Sequence, residues 1–143
     1  MLSNNTGPIV YIDDDEDEVY IIKKALQDLS IFNPLRFFSD PFKALEYLST
    51  TEEQSLVILC DMFMRPLNGI EVRQHIEADD YLRLKSIPFI FLTDSVNADD
   101  IKRVYKGNIQ GYYQKPYEFE VYKENIDLII RYWQKSLHPN NIA

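Results

Sequence analysis

Three kinds of side chain, at four places in this chain, sit where phosphoryl chemistry would need them, each just after a short run expected to be a strand. Asp13, Asp14 and Asp15 follow Ile9-Val10-Tyr11-Ile12. Asp61 follows Leu56-Val57-Ile58-Leu59-Cys60, and Thr93 follows Ile90-Phe91-Leu92. Lys115, ahead of Pro116, follows Gly111-Tyr112-Tyr113-Gln114. Each has an ordinary explanation by itself. Carboxylates suit a helix N-terminus, an Asp caps loops, Thr favours strand ends, and a lysine is usually a solvated charge. A calcium loop does not fit the acidic run, because Glu18 stands where the turn glycine is needed and Lys24 where the bidentate Glu belongs. Taken together, carboxylates, a hydroxyl and an ammonium that close different strands of one parallel sheet meet at one edge. That is where such sheets bind ligands. The resulting pocket suits a hard divalent cation and a phosphoryl group.

The elements that would position these groups are legible from periodicity. A buried strand is expected over 9–12, further strands over 35–38, within 87–92 and over 111–114, and a strand covered on both faces over 56–60, whose apolar run does not alternate. Val19, Ile22, Leu26 and Leu29 recur at helical spacing, with Asp15 or Asp17 as the expected cap. Pro41 at a first turn opens a second helix running to about Leu48. A third is expected over 70–79, and a fourth from Asn97 or Ala98 to a stop at Gly107. The last runs from about Glu118 to Leu137, with apolar residues at 119, 122, 126, 129, 133 and 137. Five such βα units predict an α/β fold. The sheet would be doubly wound, five-stranded and parallel, in the flavodoxin-like order 2-1-3-4-5, with helices on both faces.

The bulk numbers narrow the function. A chain of 143 residues is expected to be one domain, with a core over about 8–137 and flexible ends at 1–7 and 138–143. A net charge of -8 argues against nucleic acid as a partner, because phosphate contacts need clustered Lys and Arg. The single Cys60 allows no intrachain disulfide and reads as a small buried hydrophobe. No leader and no apolar run of membrane-spanning length is seen, so no membrane association and a cytoplasmic location are expected.

The chain resembles the receiver domain of two-component response regulators. The motifs that carry the resemblance are Ile-Val-Tyr-Ile-Asp13-Asp14, Leu-Cys-Asp61 with Gly69 eight residues on, Phe-Leu-Thr93, and Tyr112-Tyr113-Gln114-Lys115-Pro116. They span roughly residues 8–134. Tyr132-Trp133 and Leu137-His138-Pro139 are in turn similar to the stand-alone receivers associated with bacterial phytochromes. The resemblance implies that Asp61 is the phosphoacceptor, taking its phosphoryl group from a phosphohistidine of a sensor histidine kinase or a histidine phosphotransfer protein. It implies that Mg²⁺ is held by Asp13, Asp14, Asp61 and the backbone carbonyl of Phe63. Thr93 and Lys115 would hold the phosphoryl oxygens, with Thr93 and Tyr112 as the switch pair. The expected role is signalling rather than enzymatic turnover, with output through a partner or a homodimer formed by the last-helix face. Ile101, Val104, Tyr105, Tyr122 and Tyr132 are the candidate anchors there.

Three departures from the family pattern stand out. Arg65 takes the place of a usual Pro, Asp94 follows Thr93 where a small residue is favoured, and Phe63 replaces a commonly polar residue. Phe63 also argues against an aspartyl phosphohydrolase, which needs an acid two residues past its nucleophile. A phosphorylation-independent pseudo-receiver, acting as an adaptor, is the alternative that Asp94 keeps open. A flavin-binding protein of similar topology would want a hydroxyl- and glycine-rich loop where this chain has acids.

Overall fold

The computed structural model describes residues 4–94 and 96–138. The strands are β1 (Ile9–Ile12), β2 (Leu35–Phe38), β3 (Val57–Cys60), β4 (Phe89–Thr93) and β5 (Gly111–Gln114). The helices are α1 (Glu18–Asp28), α2 (Pro41–Thr50), α3 (Gly69–Ala78), α4 (Asp80–Lys85), α5 (Ala98–Tyr105) and α6 (Phe119–Lys135). All strand pairs are parallel, and the sheet order is β2-β1-β3-β4-β5, as the alternation predicts.

Every residue of β1, β3 and β4 is buried, which explains why these runs do not alternate. Successive side chains instead feed two cores. Ile9, Tyr11, Val57, Leu59, Ile90 and Leu92 pack under α1 and α6, with Ile22, Leu26, Ile126 and Ile130. Val10, Ile12, Ile58, Cys60, Phe89 and Phe91 pack on the other face with Ala44, Leu48, Val72, Ile76 and Val104. Cys60 is buried as expected, and burial pushes its thiol well up.

Several sequence expectations need correction. Among the described residues six α-helices are present rather than five. Asp79 turns extended (φ -95°, ψ 114°), ends α3, and its side chain accepts from Leu82 N to start α4. That short helix buries only Leu82, too little to give a periodic signal. Asp17 occupies the N-cap of α1 but makes no side-chain cap bond, because its backbone is already helical. Asp15 instead accepts from Asp17 N. No glycine has positive φ, so Gly107 does not stop α5 by a left-handed turn. Leu137 lies past the end of α6 and is exposed, whereas Ile130 is buried.

Asn4–Thr6 form a 3-10 helix, and Asn33 Nδ2 donates to the carbonyls of Asn5 and Gly7. His138 is buried, with its ring nitrogen at the carbonyl of Ser86. Residues 1–3 and 139–143 lie outside the described residues.

Candidate phosphoryl-acceptor site

Sheet order places the site. The chain reverses its direction of travel across the sheet between β1 and β3, which are neighbours with Ile12 paired to Cys60. The residues that follow, Asp13 and Asp61, therefore emerge side by side. Asp61 N donates to Ile12 O at 2.9 Å, extending the ladder to the mouth of the pocket. One strand over, Lys115 N donates to Thr93 O at 2.8 Å, which ties the ends of β4 and β5 together.

Gly69 completes the backbone frame. A Cβ there would fall 2.5 Å from Asp61 O and 2.4 Å from the Phe91 ring. Only glycine lets the start of α3 close against the carbonyl of Asp61, so the sequence signal eight residues past Asp61 has a steric cause. Asn68 accepts from Glu71 N while Glu71 accepts from Asn68 N, a capping box that fixes this helix start.

Asp13, Asp14 and Asp61 each offer a carboxylate oxygen within 4.8 Å of the others. Asp13 is fully buried, Asp61 is 8% exposed, and Asp14 faces solvent. Backbone donors orient all three. Asp15 N donates to Asp13 Oδ1 at 3.0 Å, Arg65 N to Asp14 Oδ2 at 3.3 Å, and Phe63 N to Asp61 Oδ1 at 3.4 Å. The loop after β3, shaped by Arg65 in place of the usual proline, thus reaches back to the acidic run.

Lys115 crosses the sheet edge into this cluster. Its Nζ lies 2.5 Å from Asp13 Oδ2, 3.5 Å from Glu18 Oε1 and 3.9 Å from Asp61 Oδ2. Burial works against the ammonium, yet Asp13, Asp61 and Glu18 together push Lys115 up to about 12. Burial raises the Asp61 carboxyl above its ordinary range, and the nearby Thr93 hydroxyl and Lys115 pull it only part of the way back. Thr93 is 1% exposed, and its hydroxyl, near enough to Asp61 to act on that carboxyl, makes no well-formed hydrogen bond. Such a group calls for an acceptor.

The donor set fits a hard cation and a phosphoryl oxyanion. Three carboxylates carry about -3, and each close pair costs on the order of 4 kcal/mol at an effective dielectric near 20. One ammonium does not balance them; a divalent cation on the oxygens does.

The remaining sequence candidates are placed as follows. Tyr112 is half-buried on the α5 side of β5, its ring 5.9 Å from that of Phe91. The Phe63 side chain, two residues past Asp61, is exposed. Asp94 is exposed and shares a cavity of about 210 Å³ with Lys115, Glu18 and Tyr122. Val104 and Tyr122 belong to the core and do not serve as surface anchors, whereas Tyr105 and Tyr132 are exposed.

Sequence reasoning missed Glu18 and Tyr11 as members of the site, and read Tyr122, which lies beside them, as a surface anchor. Tyr11 Oη donates to Asp13 Oδ2 at 3.2 Å, with Glu18 Oε2 at 3.4 Å. Burial, first of all, raises both tyrosine hydroxyls and keeps them protonated. The one available signal was a tyrosine inside an otherwise aliphatic buried strand. Its hydroxyl had to find a partner.

This fold and site define a receiver, and a profile of the family described as response regulator receiver domain matches residues 9–127. The chain belongs to that family. It is 30% identical over 129 residues to the probable methanogenesis regulatory protein FilR2 of Methanothrix harundinacea, covering 87% of this chain and 82% of the relative. It is 31% identical over 121 residues to the chemotaxis protein CheY of Pseudomonas aeruginosa, covering 85% and 94%. Among solved structures it is similar to the phosphorylated cyanobacterial phytochrome response regulator RcpA. That match has a TM-score of 0.80, 22% identity, and coverage of 92% of this chain and 96% of the other. Among the described residues, no helix is long and apolar enough to cross a membrane.

Proposed function

We propose that this receiver is a phosphorylation-dependent switch whose acceptor is Asp61. The phosphoryl group would come from a phosphohistidine on a sensor histidine kinase or a histidine phosphotransfer protein, in the cytoplasm. The observation that carries the reading is the meeting of three strand ends: Lys115 Nζ 3.9 Å from Asp61, beside a buried Thr93 hydroxyl that makes no well-formed hydrogen bond.

In the transfer, an Asp61 carboxylate oxygen forms the new O–P bond. The P–N bond breaks with its electron pair staying on the imidazole, which takes a proton from solvent. Mg²⁺, held by Asp13, Asp14, Asp61 and the Phe63 carbonyl, would neutralise charge on the phosphoryl oxygens. Positioning and charge balance are the main demands of this chemistry. Lys115 supplies a cation to one phosphoryl oxygen, and the Thr93 hydroxyl gains the acceptor it lacks. Movement of Thr93 toward the phosphoryl group opens space next to Phe91, into which Tyr112 turns. Reduction of the acyl phosphate with borohydride, followed by peptide mapping, tests this. Homoserine at position 61 supports the assignment, and homoserine elsewhere overturns it.

The output surface in this reading is the face of α5, β5 and α6. Tyr105, Leu128 and Tyr132 are exposed there, at 52%, 64% and 63%. α5 ends in Lys102 and Arg103, while α6 carries Glu120, Glu124 and Asp127. A two-fold contact through this face would cover the exposed rings of Tyr105 and Tyr132. Sedimentation with and without beryllium fluoride reads this; identical profiles would remove regulated self-association and leave a heterologous partner.

A further inference from the structure

Of the acidic run, Asp14, Asp15, Glu16 and Asp17 are exposed, as a helix start with favourable dipole explains. Glu18 is different. It opens α1, yet its side chain is only 13% exposed and turns inward beneath the acceptor pocket. Burying a carboxylate is costly unless it is paired. Glu18 has two partners. Its Oε1 lies 3.5 Å from Lys115 Nζ, and its Oε2 lies 3.4 Å from the buried Tyr11 hydroxyl.

We infer that Glu18 is a positioning residue for Lys115, holding its ammonium at the back of the pocket and away from Asp61. The inference rests on the reading of Lys115 as the phosphoryl-binding cation. The three distances rank the carboxylates around Nζ as Asp13, then Glu18, then Asp61. The acceptor is thus the most distant of the three. To reach an oxyanion on Asp61 the ammonium must leave Glu18, and the cavity that Glu18, Lys115, Asp94 and Tyr122 line gives the lysine head room to move. Tyr11 Oη, whose single proton goes first to Asp13 at 3.2 Å, stands 3.4 Å from Glu18 Oε2 and closes the other side of that carboxylate. The restraint therefore links the end of β1, the start of α1 and the end of β5. It sets how readily the site takes an oxyanion without touching that oxyanion.

Two measurements decide. In the first, urea unfolding of chelator-treated protein is compared for wild type, Glu18→Gln, Lys115→Met and the double variant. Non-additive effects are expected, because the pair interacts; additive effects overturn the inference. In the second, affinity for beryllium fluoride in Mg²⁺ is measured. Glu18→Gln keeps an acceptor for Tyr11 but releases Lys115, and should bind roughly three- to ten-fold more tightly. Glu18→Asp, which keeps the charge, should return toward wild type. Glu16→Gln removes an exposed charge of the same run and should change affinity far less. An equal gain there would assign the effect to overall charge and overturn the inference, as would unchanged or weaker binding by Glu18→Gln. If Glu18→Gln does not fold, Glu18→Met removes the same charge with a side chain of similar length and should tighten binding in the same direction; no gain overturns the inference. Failure of the wild type to bind beryllium fluoride would count against the function proposed for the site. The unfolding cycle would still decide the role of Glu18.

Discussion

Lys115 is bound more closely to Asp13 than to Asp61: its Nζ stands 2.5 Å from one carboxylate and 3.9 Å from the other. In this state Asp61 is buried and its countercharge is held mainly by Asp13, and burial keeps its carboxyl above the usual range. A carboxyl raised by folding stabilises the fold below its unfolded value, near pH 4. That contribution is lost as pH rises through the folded value. Asp61→Asn should therefore raise the stability of metal-free protein near pH 7 by on the order of 1–2 kcal/mol. The gain should shrink below about pH 4, where Asp61 is itself protonated. Urea midpoints at the two pH values test this, and an equal gain at both would contradict it.

The acidic run should not bind metal uniformly. Asp14 shares the 4.8 Å cluster with Asp13 and Asp61, while Asp17 starts α1 facing solvent. Asp14→Ala should weaken Mg²⁺ binding by about tenfold or more, and Asp17→Ala by far less. Titration calorimetry giving equal losses would show diffuse attraction instead of a site.

Phosphoryl uptake should be slow and the product long-lived. Asp94 shares a cavity with Lys115 and repels an incoming anionic donor, by about 1 kcal/mol when solvent-screened. Asp94→Ala should speed uptake several-fold. Phe63 offers no polar group to orient a hydrolytic water, so Phe63→Asn should shorten the phosphoryl lifetime. Loss of label timed after donor removal decides the second point, and initial uptake rates the first. Unchanged values would leave these side chains without influence.

Gly69 should tolerate no side chain. Alanine there meets Asp61 O at 2.5 Å and Phe91 at 2.4 Å. Backbone at the acceptor must give way, at a cost of about 3 kcal/mol. Gly69→Ala should lower the urea midpoint and slow uptake together. A variant with wild-type midpoint and uptake would show that α3 can withdraw freely.

The strands and their order were legible because β1, β3 and β4 are uniformly apolar and buried on both faces, while α1 and α6 bury a periodic stripe. Asp13, Asp61, Thr93 and Lys115 were legible because each directly follows or ends such a run. What escaped the sequence is what depends on side-chain direction. Glu18 lies in a run of six acids, and nothing local says that it alone joins Asp13 in turning inward. Tyr122 and Val104 fit a surface stripe as well as a core one until the packing of α6 and α5 is known. α4 escaped because six residues with one buried Leu have no period to read.

The central claim is that Asp61 accepts a phosphoryl group in a metal-dependent reaction. Intact mass after incubation with acetyl phosphate, with Mg²⁺ and with a chelator, tests it on wild type and Asp61→Asn. The account predicts a gain of one phosphoryl group in wild type with Mg²⁺ only, and none in Asp61→Asn. The same gain in Asp61→Asn, or none in wild type with Mg²⁺, would contradict it.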